Sequence, residues 1–273
     1  MNRLTATAAR YRAIAYFALT FMVSWIGALA VALPHLLRHE SLPKLTGILM
    51  FPVMLLGPSL IGLLLTRIIE GTSGLATLFS RMLVARVSGK WYALLLLAPC
   101  LILSVLFVLE KFSSPVFAPN GFLVGVLFGV PAGFAEEIGW MGFAFPALSR
   151  QRSAFSAAVL LGLVWGFWHL PVIDFLGTAT PHGSHLLQYF FVFVAAMTAM
   201  RVLIAWLYTN TESVLLSQLM HVSSTGSLVT LSPAGVNAQQ EALWYGVYAG
   251  VLWTVVALVV LKNGVQLNLQ RRS

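Results

Sequence analysis

The sequence predicts an all-α, polytopic membrane helix bundle of about eight transmembrane helices, with the N- and C-termini cytoplasmic. Three observations predict it. The chain is 59% hydrophobic and 9% charged, where a soluble domain carries about 25% charged residues. Its apolar runs are long and uninterrupted, which suits helices rather than the alternating strands of a β-barrel. Its lysines and arginines fall mainly in every second inter-run segment.

A spanning helix needs about 20 mainly apolar residues, and candidate runs fall at roughly 13–33, 45–69, 91–109, 121–145, 154–175, 187–208, 212–232 and 241–261. The first follows Arg3, Arg10 and Arg12 and contains Ala28-Leu29-Ala30, a small-residue pattern of the kind cut in signal peptides. It is too apolar for too long to be an ordinary signal core, so it reads as a span. After the second run, segment 70–90 reads as a cytoplasmic loop with a short amphipathic helix. Leu75, Leu78, Phe79, Met82 and Leu83 recur at helical spacing, and Arg81 and Arg86 are available to lipid phosphates. The third run holds the single Cys100, which excludes an internal disulfide and reads as a small buried hydrophobe. The fourth and fifth runs carry the motifs discussed below. Between the fifth and sixth, segment 176–186 is rich in turn formers, and its His182 and His185 read as exposed loop residues. Asp174, at the end of the fifth run, reads as interfacial.

With the N-terminus inside, the inside segments hold Arg3, Arg10, Arg12, Arg67, Arg81, Arg86, Lys90, Arg150, Arg152, Lys262, Arg271 and Arg272, and the outside ones only Arg38, Lys44 and Lys111. An odd number of spans breaks this asymmetry. The net charge of +8 is accounted for by topology and lipid head groups, so nucleic acid is not an expected partner. No polar linker divides the chain. It reads as one transmembrane domain, 1–273, with its motif-bearing core at about 120–232.

The chain has only eight acidic residues, yet Glu136 and Glu137 stand side by side in an apolar run. A charge within a span is costly and is by default a sign of function. On a helix the two carboxylates project about 100° apart, so one can face a cavity while another group holds its neighbour. Adjacent buried carboxylates do not titrate independently, and such a group can serve as general base toward water. His169, in Trp165-Gly166-Phe167-Trp168-His169-Leu170-Pro171, Arg201 and His221 are polar oddities of the chain that read as partners of the glutamate pair. Ser217 and Thr225 lie one turn either side of His221 and suggest a wet cavity. Neither HExxH nor a GxSxG elbow is present. Two His and a Glu (His169, His221 and Glu136) can hold Zn²⁺ and leave a position for water. Equally, Glu and His can activate water unaided while a His and a hydroxyl stabilise an oxyanion.

These motifs resemble a known family. Glu136-Glu137-Ile138-Gly139-Trp140-Met141 is similar to EExxxR, the first motif of the CPBP intramembrane proteases, which include CAAX prenyl endopeptidases and bacteriocin-processing or self-immunity proteins. Trp165-x-x-x-His169 resembles the second motif, FxxxH, and His221-x-x-x-Thr225 the closing HxxxN/B motif. The resemblance covers about residues 120–225 in motif order. It implies an eight-helix intramembrane endopeptidase acting on a leader peptide or a lipidated protein, and the short compact chain points to a bacterial inner (plasma) membrane. Glu136 and His169 would activate water, His221 and Thr225 would stabilise the oxyanion, and Glu137 would support or ligate. It implies either a metalloendopeptidase or a glutamate-type enzyme.

Two positions depart from the pattern: Met141 stands where the motif has Arg, and Thr225 where it usually has Asn. Arg201, the basic residue deepest in a span, is expected to supply the missing cation to Glu137. The rival readings are an inactive member that binds a membrane partner, as an immunity protein does, and a small proton-coupled transporter. The latter predicts an internal symmetry that the sequence lacks. With straight helices, Glu136 and His169 would differ in depth by roughly 15 Å. Breaks at Pro131, Gly133 and Gly139, with help from Gly162 and Gly166, are expected to bring them together.

Overall fold

The computed structural model describes residues 11–123 and 125–268, and among these there are helices and no strands. The chain is a multi-pass helical membrane protein. Its helices are α1 (Arg12–Leu37), α2 (Lys44–Met54), α3 (Leu56–Met82), α4 (Gly89–Phe112), α5 (Gly125–Gly139), the short α6 (Phe145–Ser149), α7 (Ala154–Trp168), α8 (Leu186–Thr211), α9 (Val214–Leu231) and α10 (Ala238–Asn263). Among the described residues, six segments are long and apolar enough to cross a membrane, α2 and α3 counting as one. The two expected spans that fall short are those carrying the first two motifs. The fourth, 15 residues long as α5, gives way to a π-helical turn at Trp140–Ala144. The fifth is the 15-residue α7, followed by a 3-10 stretch, Leu170–Phe175. Irregular backbone at membrane depth is tolerated where protein surrounds it, and π-turns inside helices often mark functional sites.

Each outer helix turns a narrow face inward. On α1 that face is Tyr16, Thr20, Ser24, Ala28 and Ala32, spaced by four residues, while Ile26, Leu29 and Leu33 point outward. Small and polar residues at the contact let helices approach in a solvent that offers no hydrophobic drive. Ser24 also completes α3: Pro58 has no N–H to give the carbonyl of Met54, and the Ser24 hydroxyl donates to it at 2.8 Å. The first run is thus built into the bundle, packed on α2 and α3. Cys100, expected to be buried, is exposed on α4, whose inward face is Ala98, Ile102, Val105, Leu106 and Leu109. Cys100 lies two residues from both Ala98 and Ile102, about 200° around the helix, which turns it from bundle to lipid.

Segment 70–90 contains the expected amphipathic piece. Helix α3 bends at Gly71, whose φ of +73° is strained for any residue with a side chain. Beyond the bend it runs to Met82 with Leu78 buried and Phe79 exposed. Of the basic residues invoked for topology, Arg3, Arg10, Arg271 and Arg272 lie outside the described residues. Arg12, Arg81, Arg150 and Arg152 gather at one end of the bundle, lining two adjoining cavities there.

The 176–186 loop corrects an expectation. His182 is 1% exposed rather than a loop residue in water. Its Nδ1 and backbone N–H meet Asp174 Oδ1 at 2.9 and 2.8 Å, and its Nε2 meets Glu241 Oε2 at 3.2 Å. Glu241, in the first turn of α10, also accepts from the N–H groups of Thr178 and Ala179, at 2.8 and 2.7 Å. The His182 ring stacks on Tyr189 of α8 at 4.0 Å. A turn-rich composition reports only that the chain reverses, not whether the reversal folds back onto a helix end. His185 remains peripheral, near Gln188.

Candidate active site

The close contact of α5 with α9 builds the site. A Cβ on Gly129 would stand 2.6 Å from the carbonyl oxygen of Val222, and one on Gly133 would stand 2.7 Å from that of Gln218. The two backbones therefore touch, as small residues at four-residue spacing allow. That approach puts Glu137 of α5 against His221 of α9: His221 Nδ1 donates to Glu137 Oε1 at 2.7 Å. Arg201 of α8 donates from Nη1 to both carboxylate oxygens, at 2.8 and 2.7 Å. Glu137 and Arg201 are fully buried. The guanidinium also lies over the Trp165 ring, 4.1 Å from its centroid, a favourable cation–π position. Arg201 thus reaches the carboxylate that Met141 cannot serve; Met141 is itself fully buried, in the π-turn.

Glu136 takes a different environment, as the 100° turn between adjacent residues requires. It too is fully buried, and its Oε2 accepts from two indoles, Trp140 Nε1 at 3.1 Å and Trp165 Nε1 at 2.6 Å. Its Oε1 has no hydrogen-bond partner in the protein. Trp140 and Trp165 were not singled out as site residues from the sequence. Their spacing carried the signal: Trp140 is four residues after Glu136 and Trp165 four before His169, each on its partner's face.

His169 caps α7. Its backbone N–H bonds the carbonyl of Gly166 in a tight turn, which leaves the carbonyl of Trp165 without its usual helical donor. The ring Nδ1 of His169 fills that place at 2.8 Å. This fixes Nδ1 as the protonated nitrogen and leaves Nε2 as an acceptor. The ring is enclosed by Phe51, Trp168 and Phe193. His169, His221 and Glu136 all touch Trp165, whose ring lies 5.5 Å from the first and 5.1 Å from the second. The Trp165 indole thus links Glu136 of the fourth run to His169 of the fifth.

Of the expected helix-breaking residues, Gly139 stands at the break, Pro131 lies within α5, and the other glycines act otherwise. Gly133 serves the α5–α9 approach, and Gly162 and Gly166 serve that of α7 to α8 at Thr198 and Val194. The break follows Gly139, which is pressed by the carbonyl oxygen of Pro58 and the hydroxyl of Tyr16. Ser217 is fully buried and donates to the carbonyl of Ser213 within its own helix, so it does not extend a wet stripe. Thr225 lies half-buried on α9, one turn past His221.

A metal ion was an open expectation for Glu136, His169 and His221. The chemistry of the set is suitable, since each histidine commits Nδ1 and leaves Nε2. The spacing is not: among the described residues no three His, Cys, Asp or Glu side chains stand close enough together to hold an ion.

Comparison with known proteins agrees with the motif order. Residues 117–226 match the model of the type II CAAX prenyl endopeptidase Rce1-like family. The chain is 29% identical over 129 residues to CAAX prenyl protease 2 of Methanococcus maripaludis, a match covering 46% of this chain and 45% of that protein. The chain thus spans about half the length of the curated relative it matches. The matched segment contains all three motifs and every residue of the buried cluster, and over that segment this chain is similar to the CAAX prenyl endopeptidases.

Proposed function

We propose that this protein is an intramembrane endopeptidase that cleaves a peptide bond of a membrane-associated or lipidated substrate with water activated by Glu136 and His169. The observation that carries the reading is the unequal treatment of two adjacent buried carboxylates. Glu137 is consumed by Arg201 and His221, while Glu136 is oriented by two indoles on one oxygen and left open on the other. A structural ion pair needs only Glu137. A base needs an oriented carboxylate with an uncommitted oxygen, which Glu136 Oε1 supplies, and His169, which shares the Trp165 contact, keeps Nε2 as a second acceptor.

In this mechanism Glu136 Oε1 takes a proton from water that His169 Nε2 helps to orient. The hydroxide adds to the scissile carbonyl carbon, and the oxyanion is received by His221 Nε2–H and the Thr225 hydroxyl. With Nδ1–H committed to Glu137, His221 donates from Nε2 when both nitrogens are protonated, a charge that the developing oxyanion balances. Glu136 then returns its proton to the leaving nitrogen as the C–N bond breaks, giving a carboxylate and an amine. Arg201 fixes Glu137, which fixes the His221 ring. No step is routed through Zn²⁺, and the gathering of Glu136, His169 and His221 around an ion would require the three to close in.

The basic end of the bundle faces the cytoplasm in this reading, with the chain in a bacterial inner (plasma) membrane. The relative's name concerns prenylated CAAX substrates, and by similarity such a peptide is the first candidate here. The test is cleavage of a farnesylated CAAX peptide and a membrane-peptide library by the purified full chain, compared with Glu136→Gln, with and without a chelator. Cleavage lost in the variant supports the proposal, and chelator sensitivity would add a metal to it. Cleavage unchanged in Glu136→Gln would overturn it. The half-buried single hydroxyl of Thr225 favours a second reading, a non-catalytic member that binds a membrane partner. A folded wild type inactive on every substrate, and still inactive as Thr225→Asn, would favour that reading.

A further inference from the structure

At the basic end of the bundle a cavity of about 310 Å³ opens between α6, the tip of α8 and the segment after α10. Arg81, Ser149, Arg152, Tyr208, Glu212 and Gln266 are among its lining residues. Arg81 is half-buried and donates to the Tyr208 hydroxyl at 3.3 Å. Among the described residues, neither Arg81 nor Arg152 has a carboxylate within ion-pairing distance. Their situation differs from that of Arg12 and Arg150 in the adjoining cavity, which share Glu70 at 3.0 and 3.6 Å. The Ser149 hydroxyl oxygen is buried and has no partner in the protein. Among the described residues, two guanidinium groups without a carboxylate partner, an unpartnered hydroxyl and a phenol thus line one space, with Glu212 as its acidic lining residue. Such a donor set lacks an anionic acceptor. An arginine fork matches the oxygens of a phosphate bidentately.

We propose that this cavity is a binding site for a phosphate group, presented by the headgroup of an anionic membrane lipid. The cavity's place at the end of the apolar spans puts it at the depth of the headgroups. Basic pockets between spanning helices on the cytoplasmic side suit acidic headgroups. Arg81 and Arg152 grip the phosphate, Ser149 donates to it, and Glu212 weakens the site by its like charge. The site is independent of the peptidase chemistry, since none of the residues that form the buried cluster lines it.

The experiment titrates the detergent-purified full chain with short-chain phosphatidylglycerol, short-chain phosphatidylcholine and inorganic phosphate, reading binding by thermal shift. Phosphatidylglycerol is expected to bind most tightly. Arg81→Gln/Arg152→Gln is expected to weaken it about a hundredfold, roughly tenfold per charged hydrogen-bonding partner. Glu212→Gln is expected to tighten it, and Lys90→Gln, at an exposed cation away from the cavity, to leave it unchanged. Equal affinity for inorganic phosphate and phosphatidylglycerol would overturn the lipid assignment in favour of a free anion. Binding unaltered in the double variant, or unaltered by Glu212→Gln, would overturn the site itself.

Discussion

Replacing Arg201 by Met tests whether the buried cluster is held by charge. The variant keeps most of the side-chain volume but leaves Glu137 fully buried with His221 as its remaining partner. It also removes the guanidinium from the Trp165 ring. Breaking a buried pair from one side costs about 3–5 kcal/mol, because the other charge is left uncompensated. Removing both charges, as in Arg201→Met/Glu137→Gln, leaves a neutral amide to which His221 can still donate. That double variant is expected within about 1 kcal/mol of wild type, since replacing a buried pair by neutral groups is often close to neutral. The assay is reversible unfolding of the full chain in detergent micelles, run on both single variants and the double to complete the cycle. An Arg201→Met variant within about 1 kcal/mol of wild type would refute the reasoning. So would a double variant no more stable than the Arg201→Met single.

Other variants probe the site and its frame. Trp165→Phe removes the 2.6 Å bond to Glu136 Oε2 while keeping an aromatic ring; once a substrate is in hand, kcat should fall by about tenfold with KM little changed. Gly133→Ala sets a Cβ 2.6 Å from Val222 Cγ2 and 2.7 Å from the Gln218 carbonyl oxygen, and overpacking of this kind should lower stability by about 1–3 kcal/mol in the same unfolding assay. At His182, burial by itself pushes the imidazole pKa down, but the hydrogen bonds and charges of Glu241 and Asp174 outweigh it and hold it above its usual value. Stability from a group whose folded pKa is raised is fully present below the unfolded value of about 6.5 and is lost as pH rises through the folded one. The melting temperature of wild type should therefore exceed that of His182→Gln by more at about pH 5.5 than at about pH 9; a difference independent of pH would show that the contact acts by shape alone.

The hydrophobic bundle was legible because lipid demands long apolar runs, and the pairing of Arg201 with Glu137 was legible because a charge in a span needs a partner. Hydropathy could not show that the fourth and fifth runs stop early. Gly139 and Trp168 are as apolar as their neighbours, and a helix ends there through local carbonyl accounting rather than composition. Trp165 illustrates the point: its carbonyl goes to the His169 ring and its indole to Glu136, yet in a hydropathy profile it is one more apolar residue. The same blindness hid His182. Its partners, Asp174 and Glu241, are 8 and 59 residues away in sequence, and nothing in a turn-rich segment announces a carboxylate arriving from the start of the last helix.

The contact between α5 and α9 has a consequence for how this chain can vary. Gly129 and Gly133 fix the rotation and height of α5 against a neighbouring backbone, and Glu136 and Glu137 inherit both. Inserting or deleting a single residue between Gly133 and Glu136 would turn the carboxylates by about 100° and shift them by about 1.5 Å, pointing Glu137 away from His221. Leu127, Phe128 and Val130 face outward on the same helix and are free to change within the limits of an apolar side chain. The segment therefore behaves as a ruler: its length is under tighter constraint than most of its letters.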